Sequence, residues 1–337
     1  MQSANMPPTE QFPSFSLVLE TENLANAHLD GLAQSLTSLA QQDLPLTTAK
    51  EILIIDSGNT PAQLLEALCD RYPWLTVHQA PASTGYYKAK MLGAALVTGD
   101  VVVYCDSDCT YEPQWLQHLL MPFAVRSDIQ VVAGETTTRG VGFYGTAMAL
   151  TYIFPQYSGT QSLAPTTQYF LNNVAFRRKF LLNQPIPVAL PLYRGNCVIH
   201  ARRLQQQGYI LWRQPQARAT HAPPSDRSHF FWRFLLIGHD YYWQQQLLIK
   251  PAGTMQQPMT VQNLSDDHDP TAGFKGKLDV FRDRIQKMVR HDRRHLLYLP
   301  FALPIVIVSV LLILVGYLVT AYRPDYLLKS YAHVLDE

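Results

Sequence analysis

The chain of 337 residues carries 27 Lys and Arg against 26 Asp and Glu, a net charge of +1, so no basic surplus marks it as a nucleic-acid binder. At 47% hydrophobic and 16% charged residues it is apolar for a soluble protein, and its length allows one large domain or two modest ones. Cys69, Cys105, Cys109 and Cys197 form no CxxC pair and no regular framework, which fits a reduced, cytoplasmic setting better than a disulfide scaffold.

Residues 1–13 read as a disordered leader, with no basic n-region and no apolar stretch of a signal peptide. "FSLVLET" (Phe15 to Thr21) reads as a first strand, and "NLANAHLDGLAQSLTSLAQQ" after it as a helix. "EILIIDSGNT" is a second strand ending in a turn, "PAQLLEALCDRY" a helix with Pro61 at its start, and "LTVHQAP" a third strand. "YYKAKMLGAALVTG" is a helix closed by Gly99, and "DVVVYCDSD" a fourth strand. Strands alternating with helices predict an α/β fold, a mostly parallel sheet with helices on both faces. In such sheets ligands bind beyond the carboxyl ends of the strands. Three of those ends are polar here: Thr21-Glu22-Asn23, Asp56-Ser57 and Asp106-Ser107-Asp108.

Further on, "IQVVAGETTT" (Ile129 to Thr138) reads as a strand, and "YFLNNVAFRRKFL" as a strand or turn leading into a helix. "VGFYGTAMALTYIFP" (Val141 to Pro155) reads as core, with an acceptor groove lined by its aromatics as the alternative. "HARRLQQQGYILWRQPQARATHAPP" is helix, Gly turn and strand, and "HFFWRFLLIGHDYYWQQQLLI" (His229 to Ile249) an aromatic-rich helix. A domain over 14–250 then gives way to a linker of breaker composition at 251–273. Over 274–295, Phe274, Leu278, Phe281, Ile285 and Met288 fall on one helical face among eight Lys and Arg. That pattern predicts a basic amphipathic helix on an anionic leaflet, with docking on the globular domain as the alternative. Residues 296–322 hold no charge and exceed the ~20 needed to span a bilayer, predicting a C-terminal transmembrane helix. The basic run "RHDRRH" ahead of it places the N-terminal domain in the cytoplasm and the tail, 323–337, outside, a single-pass arrangement.

The apolar run into Asp106 and Asp108 is the chemical signal. Carboxylates two positions apart on a strand point the same way, and two like charges there call for a cation. A hard divalent ion, Mg2+ or Mn2+, completing its shell with phosphate oxygens meets that need, and the leaving group of a nucleoside diphosphate donor supplies them. The bland alternative is a solvated turn before a helix.

Several ordered blocks tie the motif to a family. "LVLETEN" (Leu17 to Asn23) matches an opening strand, with Glu20 and Glu22 where a proline and an aromatic are usual. "IIDSGNTP" (Ile54 to Pro61), "STGYYKAKMLGAALVTGD" (Ser83 to Asp100), the D-x-D itself, "NNVAFRRKFL" and "QQQGYILWRQPQARATH" follow in order. From Phe15 to Pro224 the chain resembles the family 2 glycosyltransferases, which have the GT-A fold. The resemblance implies that Thr21 and Asp56 contact the nucleobase of a nucleotide-sugar donor and that Lys90 lies near the nucleotide. It further implies that Asp106 faces the ribose or the metal, that Asp108 is the main metal ligand, and that His221 reaches the metal or the diphosphate.

Two departures stand out. The family's acidic pair, source of the general base, is replaced by Asn196-Cys197, and its QxxRW block is only echoed by "HFFWRF". Asp240, Glu135, His239 and His200 are the substitute base candidates; an acceptor already ionised, such as a lipid phosphate bound by Arg194 or Arg202-Arg203, needs none. The expectation is a membrane-bound, metal-dependent, inverting glycosyltransferase with a lipid or envelope-glycan acceptor. The alternative is a catalytically degenerate nucleotide-sugar or partner-binding module on a membrane tether. A nucleotidyltransferase is disfavoured, because "ETENLANAHLD" lacks the Gly-rich basic loop it needs.

Overall fold

Aliphatic residues dominate the early strands, and in the computed structural model these strands form one half of a single nine-stranded sheet. The structure describes residues 12–21, 30–58, 60–140, 142–249 and 274–336. Most of the expected leader, Glu22 and Asn23, and the expected linker 251–273 lie outside the described residues. Strands β1 (Phe15–Glu20), β2 (Ile52–Asp56), β3 (Leu75–Gln79) and β4 (Val101–Cys105) pair in parallel in the order β3-β2-β1-β4. Helices α1 (Asp30–Ala40), α2 (Ala62–Arg71) and α3 (Tyr86–Leu96) make the connections. Alternate residues face opposite ways, so Leu17, Leu19 and Val103 enter one core with α1, while Val18, Val102 and Tyr104 enter a second with α3. Burial on both faces is why β1, β2 and β4 read as largely apolar runs, whereas β3 at the sheet edge mixes in Thr76, His78 and Gln79.

The chain continues through β5 (Cys109–Tyr111), α4 (Trp115–Val125), β6 (Val131–Thr138), α5 (Gly142–Thr151) and β7 (Ala164–Thr166). It then runs through β8 (Asn173–Arg177), α6 (Arg178–Asn183), α7 (Asn196–Gln206) and β9 (Leu211–His221). Here the pairing is mixed: β8 runs antiparallel to both β4 and β6, β6 runs parallel to β9, and β5 and β7 run antiparallel to β9. The parallel character read from the sequence therefore belongs to the first half of the sheet. Beyond β4 the periodicity of each strand is legible but its direction is not, because alternation is the same read from either end.

Helices α8 (Arg227–Ile249), α9 (Phe274–His291), α10 (His295–Tyr322) and α11 (Tyr326–Asp336) form a layer on one side of the domain. Helix α10 has 28 residues and a mean hydropathy of 2.8, long and apolar enough by length and composition to cross a membrane. It packs against α5 and α8. At its contact with α8, a Cβ on Gly238 or on Gly316 would lie 2.0 Å from the partner's backbone, so glycine is what allows the approach.

Two expectations are corrected in this layer. The described part of the basic helix's apolar face is turned to the domain, the docked arrangement given as the alternative, rather than to a leaflet: Phe281, Ile285 and Met288 of α9 pack into a cluster with α5 and α10, and buried Arg284 donates to the Tyr152 carbonyl at 2.6 Å. The side chains of Phe274 and Leu278 lie outside the described residues. An amphipathic stripe states that a helix face is buried but not by what. The tail is not set apart from the domain either. Leu327 and Tyr331 of α11 are buried against Leu235 and Leu236 of α8, and the Tyr331 ring meets Tyr193 at 5.3 Å. The Val141 to Pro155 stretch is largely core, as read: Tyr152 and Phe154 are buried, with Phe143 exposed.

Candidate active site

Because β1, β2 and β4 are parallel neighbours, their carboxyl ends meet. Thr21 Oγ1 donates to Asp56 Oδ1 at 2.6 Å and accepts from the Ser57 amide at 3.2 Å, so the polar ends of β1 and β2 form one unit. At the end of β4, buried Asp106 takes the Lys90 ammonium at 2.7 Å and the Tyr86 hydroxyl at 2.9 Å, both from the first turns of α3. Lys90 is fully buried and also donates to the Cys105 carbonyl. Burial alone would lower the ammonium's pKa, but Asp106 and Glu20 outweigh it and keep Lys90 charged. Lys90 thus acts through Asp106, as a positioning residue beneath the crevice.

The two carboxylates of the D-x-D do not point the same way. β4 ends at Cys105, and the chain turns through Asp106 to Asp108 before β5, so strand alternation no longer applies. What places Asp108 is the β5–β9 ladder: Cys109 pairs with His221, and the Ala222 amide donates to the Asp108 carbonyl at 3.0 Å. This register sets Asp108 Oδ2 3.0 Å from His221 Nε2. His221 donates through Nδ1 to the Ala222 carbonyl, which leaves Nε2 facing the carboxylate. An imidazole lone pair and a carboxylate oxygen repel at this distance unless a proton or a cation lies with them. Burial would raise the Asp108 carboxyl, but the His221 imidazole, with Arg233 nearby, outweighs it and holds the group below the ordinary carboxylate range.

The donor atoms of Asp108, Cys109 and His221 lie within 4.8 Å of one another. The oxygen and the imidazole nitrogen fit a divalent ion, since adjacent ligands at ~2.1 Å from one metal stand about 3 Å apart. Cys109 does not fit: burial, with Asp108 and Asp106 close by, pushes its thiol pKa well up, and a protonated thiol is a poor ligand for a hard cation. Asp106, grouped with Asp108 from the sequence, falls outside this cluster because it is turned into Lys90 and Tyr86.

On the opposite wall Arg194, read from the sequence as a phosphate binder, lies over the rings of Tyr86 and Tyr193, each at 4.4 Å. Arg233 of α8, which was not read from the sequence, donates to the Tyr152 hydroxyl at 3.0 Å. His229, Arg233 and Asp240 recur on α8 at spacings of four and seven, one helical face, and that spacing was the available signal. Of the base candidates, Asp240 accepts the Tyr193 and Arg194 amides, both at 2.8 Å, which makes it the anchor of that loop. Glu135 accepts the Ser158 amide at 3.0 Å and lines a separate pocket with Gln156, Arg213 and Lys287. It stands three residues from Thr138, the strand partner of His221, or about 10 Å along β6. Both ring nitrogens of His200 and of His239 are engaged. At the position of the missing acidic pair, Asn196 donates to the Pro187 carbonyl and Cys197 is buried beside Tyr87. Arg202 and Arg203 lie exposed on α7, whereas Arg194 stands at the crevice.

Residues 25–184 match the model of glycosyl transferase family 2. Polypeptide N-acetylgalactosaminyltransferase 15 of Homo sapiens is 30% identical over 120 residues, 35% of this chain and 18% of that protein. A Mycobacterium tuberculosis protein described as a putative glycosyltransferase is 38% identical over 74 residues, 21% of this chain and 22% of that protein. The matched stretch is therefore about a fifth of each relative's length. Among solved structures, the mannosyltransferase PcManGT of Pyrobaculum calidifontis, in complex with GDP-Man and Mn2+, aligns with TM-score 0.54 and 15% identity. That alignment covers 99% of this chain and 88% of that one. GalNAc-T7 with UDP, GalNAc and Mn2+ aligns with TM-score 0.51 and 15% identity, covering 64% of this chain and 44% of that one.

Proposed function

We propose that this chain, whose residues 25–184 match the glycosyl transferase family 2 model, moves a sugar from a nucleotide-sugar donor to a lipid or envelope-glycan acceptor at the cytoplasmic face of a membrane. The observation that carries this reading is the meeting of Thr21, Asp56 and Asp106 with the Asp108–His221 pair at one end of the sheet. Thr21 and Asp56 hold the nucleobase, Asp106 the ribose, and Asp108 with His221 a Mg2+ or Mn2+ ion. An ion held there would supply positive charge to offset the negative charge of the diphosphate leaving group. Lys90 and Tyr86 hold the Asp106 carboxylate in place.

The acceptor oxygen attacks from the face opposite the diphosphate, inverting the anomeric centre. An ionised phosphate acceptor suits this site, since Asp240 is committed to a loop and Asn196-Cys197 supplies no base. Arg194 and Arg233 are the cations that would receive it. The domain boundaries follow: the transferase unit over 14–250, with α9 to α11 docked on it.

Calorimetry on the full chain in mild detergent tests the donor site, using UDP- and GDP-sugars with and without Mn2+. Metal-dependent binding is expected, weakened at least about tenfold, or ~1.4 kcal/mol, by Asp108→Ala. No binding of any such donor would sink the transferase reading. Binding with no turnover on any lipid-phosphate acceptor would favour a degenerate module, which the buried Asn196-Cys197 pair also suits.

A further inference from the structure

Helix α10 is amphipathic in an inverted sense. Its buried positions, His295, Ala302, Ser309, Gly316 and Thr320 among them, are mostly small or polar. Its outward positions are large and apolar: Leu297, Phe301, Val308, Leu311, Leu318 and Tyr322 are exposed by 47% to 83%. They recur at intervals of three, four and seven, which draws one continuous stripe down the helix.

Both ends of α10 are tied to the same domain. At the start, His295 Nδ1 is hydrogen bonded to Thr146 Oγ1 of α5 at 2.7 Å. Near the end, Thr320 Oγ1 bonds His239 Nδ1 of α8 at 3.0 Å, and His239 donates onward to the Pro191 carbonyl at 3.2 Å. The two anchor points are 25 residues apart, about 38 Å of helix. Past the end, α11 folds back onto α8 and Tyr193 rather than away from the domain.

A helix that crosses a bilayer would carry whatever lies along it into the hydrocarbon. Here that is α8, with Arg233, Asp240 and Gln244, and the irregular backbone around Pro191 to Arg194. Charged side chains and loop backbone are costly at that depth.

We propose that α10 does not traverse the membrane but lies lengthwise in one leaflet, its apolar stripe in the acyl region, with the domain and α11 on the same side. The occupant of the stripe is a lipid surface carrying anionic headgroups. Arg290 and Arg293 are exposed at the stripe's N-terminal end, where they meet such headgroups; Arg294 beside them is exposed but paired with Asp292 at 2.8 Å. Membrane attachment through α10 is common to this and to a spanning arrangement; the placement of the tail is what differs.

The test uses the full chain with different epitope tags at its two ends, in sealed membrane vesicles of known orientation treated with external protease. The chain is expected in the membrane fraction, with both tags cleaved in one orientation and both protected in the other. Cleavage of one tag and protection of the other in the same vesicles would overturn the proposal and establish a crossing. Recovery in the soluble fraction without detergent would also overturn it, in favour of a stripe covered by a second copy. Neither outcome depends on sugar transfer, so the proposal stands or falls apart from the transferase reading.

Discussion

At the scale of single residues, the most consequential contact is the buried pair of Lys90 and Asp106. Both are desolvated, and each is tolerable only because the other is there, with Tyr86 donating a further hydrogen bond. Removing one partner leaves an uncompensated buried charge, which costs more than the pair contributes over an apolar replacement. Lys90→Met is expected to destabilise the fold by ~3–5 kcal/mol in urea unfolding followed by circular dichroism. Adding Asp106→Asn should recover most of that loss. If the single variant unfolds with the wild type, the ion pair is not the support described here. The same logic separates Asp108, which belongs with His221 to a group that could hold a cation, from Asp106, whose charge is already balanced by Lys90.

At the scale of elements, α8 is the strut on which the second wall hangs. Its Asp240 clamps the 193–194 loop by two backbone amides, and so holds Arg194 over Tyr86. Burial raises the Asp240 carboxyl from 3.8 to about 7, against the lowering pull of those amides and of Arg233 and Arg194. A carboxyl whose folded pKa is raised binds its proton more tightly folded than unfolded. Its stabilising contribution is therefore complete below about pH 4 and is lost as pH rises through about 7. Thermal melts from pH 5 to pH 8 should show the wild type losing stability relative to Asp240→Asn, on the order of a few kcal/mol. Parallel pH profiles for the two proteins would show that Asp240 titrates as it does in an unfolded chain.

At the scale of the molecule, a sheet with a core on each face carries the polar crevice, and a separate helical layer carries the apolar stripe. The two functions are physically distinct, so they should come apart. Leu311 and Leu318 are each more than half exposed on the stripe and are built into no part of the crevice. Leu311→Glu with Leu318→Glu is expected to move the chain from the membrane pellet to the supernatant, while nucleotide-sugar binding by calorimetry stays unchanged. Charged residues at two such positions cost about 2.5–3.5 kcal/mol each in hydrocarbon and nothing comparable in water. Retention in the pellet would show that the stripe does not hold the membrane.

The sequence by itself determined the strands and helices whose signals are local. Val101 to Cys105 could only be a buried strand, and the Phe281, Ile285, Met288 spacing could only be an amphipathic helix. It also determined which strand ends carry Thr21, Asp56 and Asp106, because the βα alternation fixes where parallel strands end. Tertiary structure alone decided what these elements meet. The antiparallel direction of β8 and the partner of the α9 stripe follow from long-range packing that periodicity does not encode. His221 reaches Asp108 only through the β5–β9 register, and Arg233 stands near that carboxylate only because α8 lies where it does. The same holds for α10. Hydropathy reports that its side chains avoid water, but whether the helix crosses a bilayer or lies along it depends on what is bonded to its two ends.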